Sequence, residues 1–456
     1  MDQNNTSRGN FASRLGIILA TAGSAVGLGN VWRFPFMAGH NGGAAFIVIY
    51  FACILLLGIP GMISEFIIGR HSQTNAARAY HQVSNRNRLW RLVGLLGIVT
   101  STIILGFYAV VAGWCLQYLF ASILGQLEGD ADYVLQYFQT FSTHPWKPAL
   151  WAVAFILITH FVVVRGVQQG IERASKLLMP LLLVLLLIIV VASCSLPGAW
   201  AGVEFLLKPD FSKVSSDVML EALGQAFFSL SLGTACLCTY ASYFSRDTNL
   251  LRSAGQIALL DSLIAILAGL MIFPAAFSVG VEPDSGPSLI FITLPNVFQQ
   301  AFATMPAVGF TIAILFYALL VFAALTSTIS MHEIATAFFT EELHQPRRKA
   351  GWIETAVCIV LAIGCSLSVG AIDSLRLFGL PLMDFCDLLT AQVMLPLGAF
   401  LTSIFIGWAV DQRLVRDEFT NHGSVSVHFF RAYQFAVRFI VPLCIILIFL
   451  HQLNLV

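Results

Sequence analysis

Charge is scarce in this chain. Asp, Glu, Lys and Arg make up 11% of its 456 residues, against roughly a quarter in an ordinary soluble domain. So few charges cannot clothe a water-facing surface of this size, which excludes a soluble enzyme or binding domain. The nine cysteines, Cys53, Cys115, Cys194, Cys236, Cys238, Cys358, Cys365, Cys386 and Cys444, contain no CxxC pair and sit in or beside apolar runs. That pattern excludes a metal ribbon or a disulfide framework and reads as buried thiols. His332-Glu333 lacks a second histidine four residues on, so the metalloprotease helix is missing. No GxSxG elbow, phosphate-binding loop or dinucleotide fingerprint occurs, so no enzyme chemistry and no organic cofactor are expected.

Hydrophobic residues, by contrast, form 58% of the chain, and the mean hydropathy is +0.83. Eleven stretches are long enough to cross a bilayer: 14–37, 44–69, 92–124, 149–165, 174–196, 219–244, 253–279, 306–340, 351–370, 378–409 and 431–453. The first is too long for a cleavable signal peptide and carries Asn30 and Arg33. The expectation is an all-α polytopic membrane protein, with 125–148 as a short connecting loop.

Orientation follows from charge. With the N-terminus inside, 18 of the 24 Lys and Arg residues fall on the cytoplasmic side, as the positive-inside rule demands. Arginines near 71–91 fit a loop beside anionic lipid better than a nucleic-acid patch. The expected setting is a plasma membrane, bacterial inner membrane by the shortness of 125–148, with membrane lipid as partner and no nucleic acid.

Two spans are interrupted. Gly23, Gly27 and Gly29 crowd the middle of the first, followed by Asn30, with Arg33 before Phe34-Pro35. Each glycine costs a helix about 1 kcal/mol relative to alanine, and freed backbone groups cannot face lipid. Either Gly23 and Gly27 form a close-packing seam, or the helix breaks around a cavity holding ions and a zwitterionic solute. The sixth span opens the same way, with 224–234 reading GQAFFSLSLGT. Five spans precede it, so the second set of five has the opposite orientation. Interrupted spans at matching places in inverted halves point to a transporter's central site. The halves are expected at 12–196 and 218–410, with an additional helix at 428–456.

These residues resemble the neurotransmitter:sodium symporter family, in particular its bacterial branch of leucine and hydrophobic amino-acid transporters. The resemblance rests on Arg14-Leu15-Gly16, Ala25-Val26-Gly27-Leu28-Gly29-Asn30, Arg33-Phe34-Pro35, Asn41-Gly42-Gly43, Gly58-Ile59-Pro60 and Glu65. It continues in GQAFFSLSLG at 224–233, TYASY at 239–243, FITLPNVF at 291–298 and Leu325-Thr326-Ser327. It covers nearly the whole chain, with eleven spans where most members have twelve.

The resemblance implies Na+ as the coupling ion, bound at two sites. One site would use Ala25, Asn30, Ser229 and Asp261 with the substrate's carboxylate. The other would use the carbonyls of Gly23, Val26 and Ala323 with the hydroxyls of Thr326 and Ser327. Oxygen ligands suit such a hard cation. Asp261 is also notable by itself, because a carboxylate within a span is expensive. Its alternative reading is a residue near the cytoplasmic end, paired with Arg252 or solvated.

Gly27 stands where monoamine-carrying relatives have aspartate, which implies an α-amino acid as substrate. It would be held by Ser24, Ala25, Gly27, Leu28, Gly29, Tyr108 and Ser327. The side-chain pocket would be formed by Ile104, Phe228, Ser229, Ser231, Thr234, Ala235 and Met331. Apolar, uncharged walls favour a neutral, hydrophobic amino acid. Gates would pair Arg33 with Asp387 or Asp384, and Arg8 with Glu341 near Tyr243. Gly170 and Pro180 match a pair that unwinds the fifth span. Ala265 and Asp261 stand where chloride-dependent relatives carry serine and asparagine, which implies independence of chloride. The expected activity is sodium-coupled symport by alternating access, in a monomer or loose homodimer. Alternatives are proton coupling through Asp261 or Glu65, and a non-transporting amino-acid sensor.

Overall fold

Polar side chains cap the helices. The Ser13 hydroxyl accepts the Gly16 N–H and starts α1, Arg14–Ala25. Val26 then turns extended, and the chain resumes as α2, Gly29–His40, bent by 57° from α1. The computed structural model describes residues 9–280, 289–372, 374–421, 423–424 and 426–452. The helices that follow are α3 (Ala44–Ser72), α4 (Ala76–Val83), α5 (Arg88–Ile123), α6 (Ala131–Ser142), α7 (Lys147–Val163), α8 (Val167–Cys194) and α9 (Trp200–Leu207). The second half contains α10 (Ser216–Ser229), α11 (Cys236–Ala241), α12 (Leu250–Ser278), α13 (Leu294–Ala301), α14 (Pro306–Glu342), α15 (Arg347–Ser368), α16 (Leu382–Ala409), α17 (Gln412–Phe419) and α18 (His428–His451). A two-residue ladder, Arg376–Leu377 with Leu380–Pro381, is the only strand pairing among the described residues.

Eight of these helices are long and apolar enough to cross a membrane, or up to ten if each bent pair is one span. The sixth expected span is split into α10 and α11, each too short to cross alone. Leu55, Leu150, Leu177, Val191, Leu259 and Val360 all face outward, while Asn30, Glu65, Asp261, Thr326 and Glu333 are buried. Apolar outside and polar inside is the arrangement that hydrocarbon solvent requires.

The 125–148 segment differs from the expected loop. Asp130 accepts the Tyr133 N–H and starts the 12-residue helix α6. Its amphipathic sequence is too short to stand out as a span.

Between α10 and α11 the backbone leaves the helix altogether. Ser231, Gly233 and Ala235 all have positive φ, a conformation that costs non-glycine residues about 1 kcal/mol or more. Glu65 of α3 offsets this by accepting the Gly233 N–H at 2.8 Å and the Cys238 N–H at 3.2 Å. The same helix packs backbone to backbone on α11, for a Cβ at Gly69 would run into the Cys238 carbonyl oxygen.

Candidate substrate and ion site

The two breaks meet. Ser231 donates its hydroxyl to the Ser24 carbonyl at 3.2 Å, joining the unwound stretch before α11 to the end of α1. Beside them lies a cavity of about 100 Å³. Of the residues expected to hold a substrate, Ser24, Ala25, Gly27, Leu28, Gly29, Ile104, Tyr108, Phe228, Ser229, Ser231, Thr234, Ser327 and Met331 line it. Ala235 does not; its methyl packs over Gly97 of α5, because the left-handed backbone turns it away from the cavity. The lining also includes Trp32, Phe107, Thr390 and Leu395, which the sequence reading missed. Thr390 lies one helical turn beyond Asp387, a spacing that would have flagged it.

Gly27 lies at a narrow polar notch. A Cβ there would stand 2.5 Å from the Ser327 hydroxyl and 3.1 Å from the Tyr108 hydroxyl. Tyr108 accepts the Leu28 N–H at 3.0 Å, which anchors the broken segment to α5. Phe228 covers Gly29, with Arg33 stacked upon its ring.

Asp261 is fully buried, and neither Arg252 nor solvent is its partner. Asn30 donates its amide to Oδ1 at 2.7 Å, Ser229 its hydroxyl to Oδ2 at 2.8 Å, and Tyr50 its hydroxyl to Oδ2 at 3.3 Å. Asn30 Oδ1 in turn accepts the Gly27 N–H at 3.1 Å. One carboxylate thus links α12, the start of α2, the end of α10, and α3. Carboxylate, amide and hydroxyl oxygens of this kind are a hard, anionic donor set suited to an alkali cation.

The second expected ion site lies against α14. The Thr326 and Ser327 hydroxyls each donate to the Val26 carbonyl at 3.3 Å, and Thr326 also donates to the Ala323 carbonyl at 2.9 Å. Gly23 packs against the Thr326 side chain. The two hydroxyls and the carbonyls of Val26 and Ala323 share one spot, where a cation would take over the carbonyl oxygens.

Of the two aspartates expected opposite Arg33, Asp387 lines the cavity and Asp384 does not. No ion pair within 4 Å joins Arg33 to either aspartate among the described residues.

At the opposite end, Tyr243 donates to Glu333 at 2.6 Å, and Glu333 forms an ion pair with Arg347. Glu341 accepts two bonds from Asn75, at 2.7 and 2.9 Å. Arg8 lies outside the described residues. Glu172, at the start of α8, accepts the Ala12 N–H at 2.7 Å and the Ser13 hydroxyl at 2.9 Å. It therefore ties the start of α1 to α8, which is helical from Val167 and holds both Gly170 and Pro180. Glu333, Arg347 and Glu172 were not singled out from sequence.

The family model described as the sodium:neurotransmitter symporter family matches residues 8–132 and 133–456. The chain is 40% identical over 448 residues to a Bacillus subtilis protein named as the uncharacterized sodium-dependent transporter YhdH, covering 97% of each. It is 32% identical to an uncharacterized sodium-dependent transporter of Haemophilus influenzae, covering 99% of this chain and all of the other. Among solved structures, MhsT in complex with L-phenylalanine superposes with a TM-score of 0.88 at 40% identity, over 97% of this chain and 99% of that one.

Proposed function

The chain belongs to the sodium:neurotransmitter symporter family and is a sodium-dependent transporter, not an enzyme; from that premise we propose that it carries a neutral, hydrophobic α-amino acid together with Na+ by alternating access. The observation that carries this reading is the meeting of both helix breaks at one cavity, beside a buried aspartate and paired hydroxyls. Mostly apolar walls formed by Ile104, Phe107, Phe228 and Met331 favour an uncharged side chain. The polar notch at Gly27, between Tyr108 and Ser327, suits the substrate's carboxylate. The likeness to MhsT, solved with L-phenylalanine, points the same way.

In this reading two sodium ions bind. The first takes the Ala25 carbonyl, Asn30, Ser229 and Asp261 with the substrate carboxylate; the second takes the Gly23, Val26 and Ala323 carbonyls with Thr326 and Ser327. The permanent charge of Asp261 replaces an anion cofactor, so transport is independent of chloride. Repeats 12–196 and 218–410 rock around this site in the bacterial inner membrane, with the N-terminus cytoplasmic. Arg33 with Asp387 closes one side, and Arg8 with Glu341 beside Tyr243 closes the other.

Uptake of labelled phenylalanine and leucine into proteoliposomes tests the proposal. The expected result is accumulation under an inward sodium gradient and none under a proton gradient alone. Proton-driven uptake would point instead to coupling through Asp261 or Glu65, and sodium-dependent binding without uptake would make the protein a sensor.

A further inference from the structure

A second cavity lies away from the central one, in the angle where α6 and α7 diverge by 73°. Its volume is about 550 Å³. Gln117 of α5, Gln136 and Tyr137 of α6, and Lys147 and Trp151 of α7 supply most of its chemistry. Amides, phenols and one ammonium group line it, and no carboxylate does. Lys147 is exposed and pairs with no carboxylate among the described residues. The Gln117 amide nitrogen donates to the Tyr137 hydroxyl at 2.7 Å, while its carbonyl oxygen finds no donor.

What surrounds the cavity matters as much as what lines it. Phe120, Ile123 and Leu124, at the end of α5, are 49%, 51% and 67% exposed, and Leu150 in the first turn of α7 is 66% exposed. Trp146 beside them is 63% exposed. In a membrane protein such a rim faces acyl chains, and tryptophan at its edge marks the headgroup level. An unpaired cation at a donor-rich hollow, whose Trp151 packs against Phe120 of the apolar rim, is complementary to an anionic headgroup anchored by its own tails. A zwitterionic choline headgroup would bring its cation toward Lys147 with no carboxylate to receive it.

We propose that this cavity binds the headgroup of an anionic glycerophospholipid. Its phosphate meets Lys147, its headgroup hydroxyls meet the glutamine amides and Tyr137, and its chains lie along Phe120 and Leu150. The site is separate from the transport pathway and does not depend on which amino acid is carried.

The test is native mass spectrometry of the detergent-purified full chain titrated with phosphatidylglycerol and, separately, with phosphatidylcholine of the same acyl chains. Phosphatidylglycerol should bind more tightly, and Lys147→Gln should weaken it about fivefold, the worth of one lysine near an anionic surface. Lys208→Gln, which removes an exposed lysine paired with Glu204, should leave binding unchanged. Equal retention of both lipids, or undiminished phosphatidylglycerol binding in Lys147→Gln, overturns the proposal. Displacement of the lipid by soluble glycerol phosphate would also overturn it, because the site would then select a free anion without needing the tails.

Discussion

Arg33 lies with its guanidinium carbon 4.1 Å from the centre of the Phe228 ring. Phe228 in turn presses on Gly29, so the roof over the cavity is a cation, an aromatic ring and a glycine in one stack. The charge that would meet Asp387 in the proposed gate therefore also holds the ring in place, so that closing that gate and covering the solute would be one event.

Removing either end of that stack should let the solute escape. Arg33→Ala and Asp387→Ala are expected to speed release of bound labelled amino acid roughly tenfold, in the range of a partly desolvated cation–π contact. Asp384→Ala should change it less than about twofold, since that side chain lies outside the cavity. A slower or unchanged release in Asp387→Ala removes this aspartate from the gate.

Thr326 and Ser327 share the Val26 carbonyl. If they are ligands of the proposed second ion site, replacing both by alanine removes two oxygens from it, and the sodium concentration for half-maximal substrate binding should rise at least about tenfold. Undiminished sodium affinity in the double variant would eliminate the second site.

At Gly27 a single methyl group decides the matter. Gly27→Ala would place its Cβ 2.5 Å from the Ser327 hydroxyl, in the notch assigned to the substrate carboxylate. Amino-acid binding should fall by a factor of about 100 or more, with thermal stability little changed if Ser327 rotates aside. Retained binding of phenylalanine would show that the carboxylate lies elsewhere.

If Asp261 supplies the negative charge beside the first ion, as proposed, replacing chloride by gluconate should leave wild-type uptake intact. In Asp261→Asn combined with Ala265→Ser the charge is gone, and uptake should become chloride-dependent. Collapse of wild-type uptake without chloride assigns the charge balance to a bound anion instead.

A fifth prediction concerns stability. Arg70 is buried and donates to Glu418 and to Asn421, fastening α17 to the end of α3. Burial pushes the Glu418 carboxyl up, but the bonds from His71 and the charge and bonds of Arg70 outweigh it and hold the group below its ordinary range. A carboxylate whose folded pKa is depressed contributes fully near neutral pH and loses that contribution as pH falls through the folded value. The melting temperature of the wild type should therefore drop between about pH 5 and about pH 3 more steeply than that of Glu418→Gln. Arg70→Met, which leaves Glu418 with His71 as its remaining partner, should cost about 3 kcal/mol at neutral pH. Parallel pH profiles for wild type and Glu418→Gln would show that the pair contributes nothing.

Much of the site is legible in the sequence because it violates the rules of an apolar helix. Gly27, Asn30 and Asp261 are conspicuous in spans where leucine is cheap, and each stands beside the cavity or in its hydrogen-bond network. Thr390 is signalled only by its place one turn beyond Asp387, and Leu395 gives no sign at all; it belongs to the site through the rotation at which α16 packs. Ala235 misled because alanine gives no sign of a left-handed backbone. Glu65, read as a possible proton carrier, binds backbone N–H groups of the unwound stretch and of α11. Its partners have no side-chain signature, so no motif announces them.

That anchoring of Glu65 has a mechanical consequence. A carboxylate bonded to two backbone amides, together with the close contact at Gly69, makes α3 and α11 a rigid couple. Torque applied at the unwound stretch cannot swing α11 alone; it must turn α3 along the same arc. The short helix after the break then works as the stub of a lever whose long arm is α3, so that a small displacement at the cavity is carried along the full length of a membrane-spanning helix.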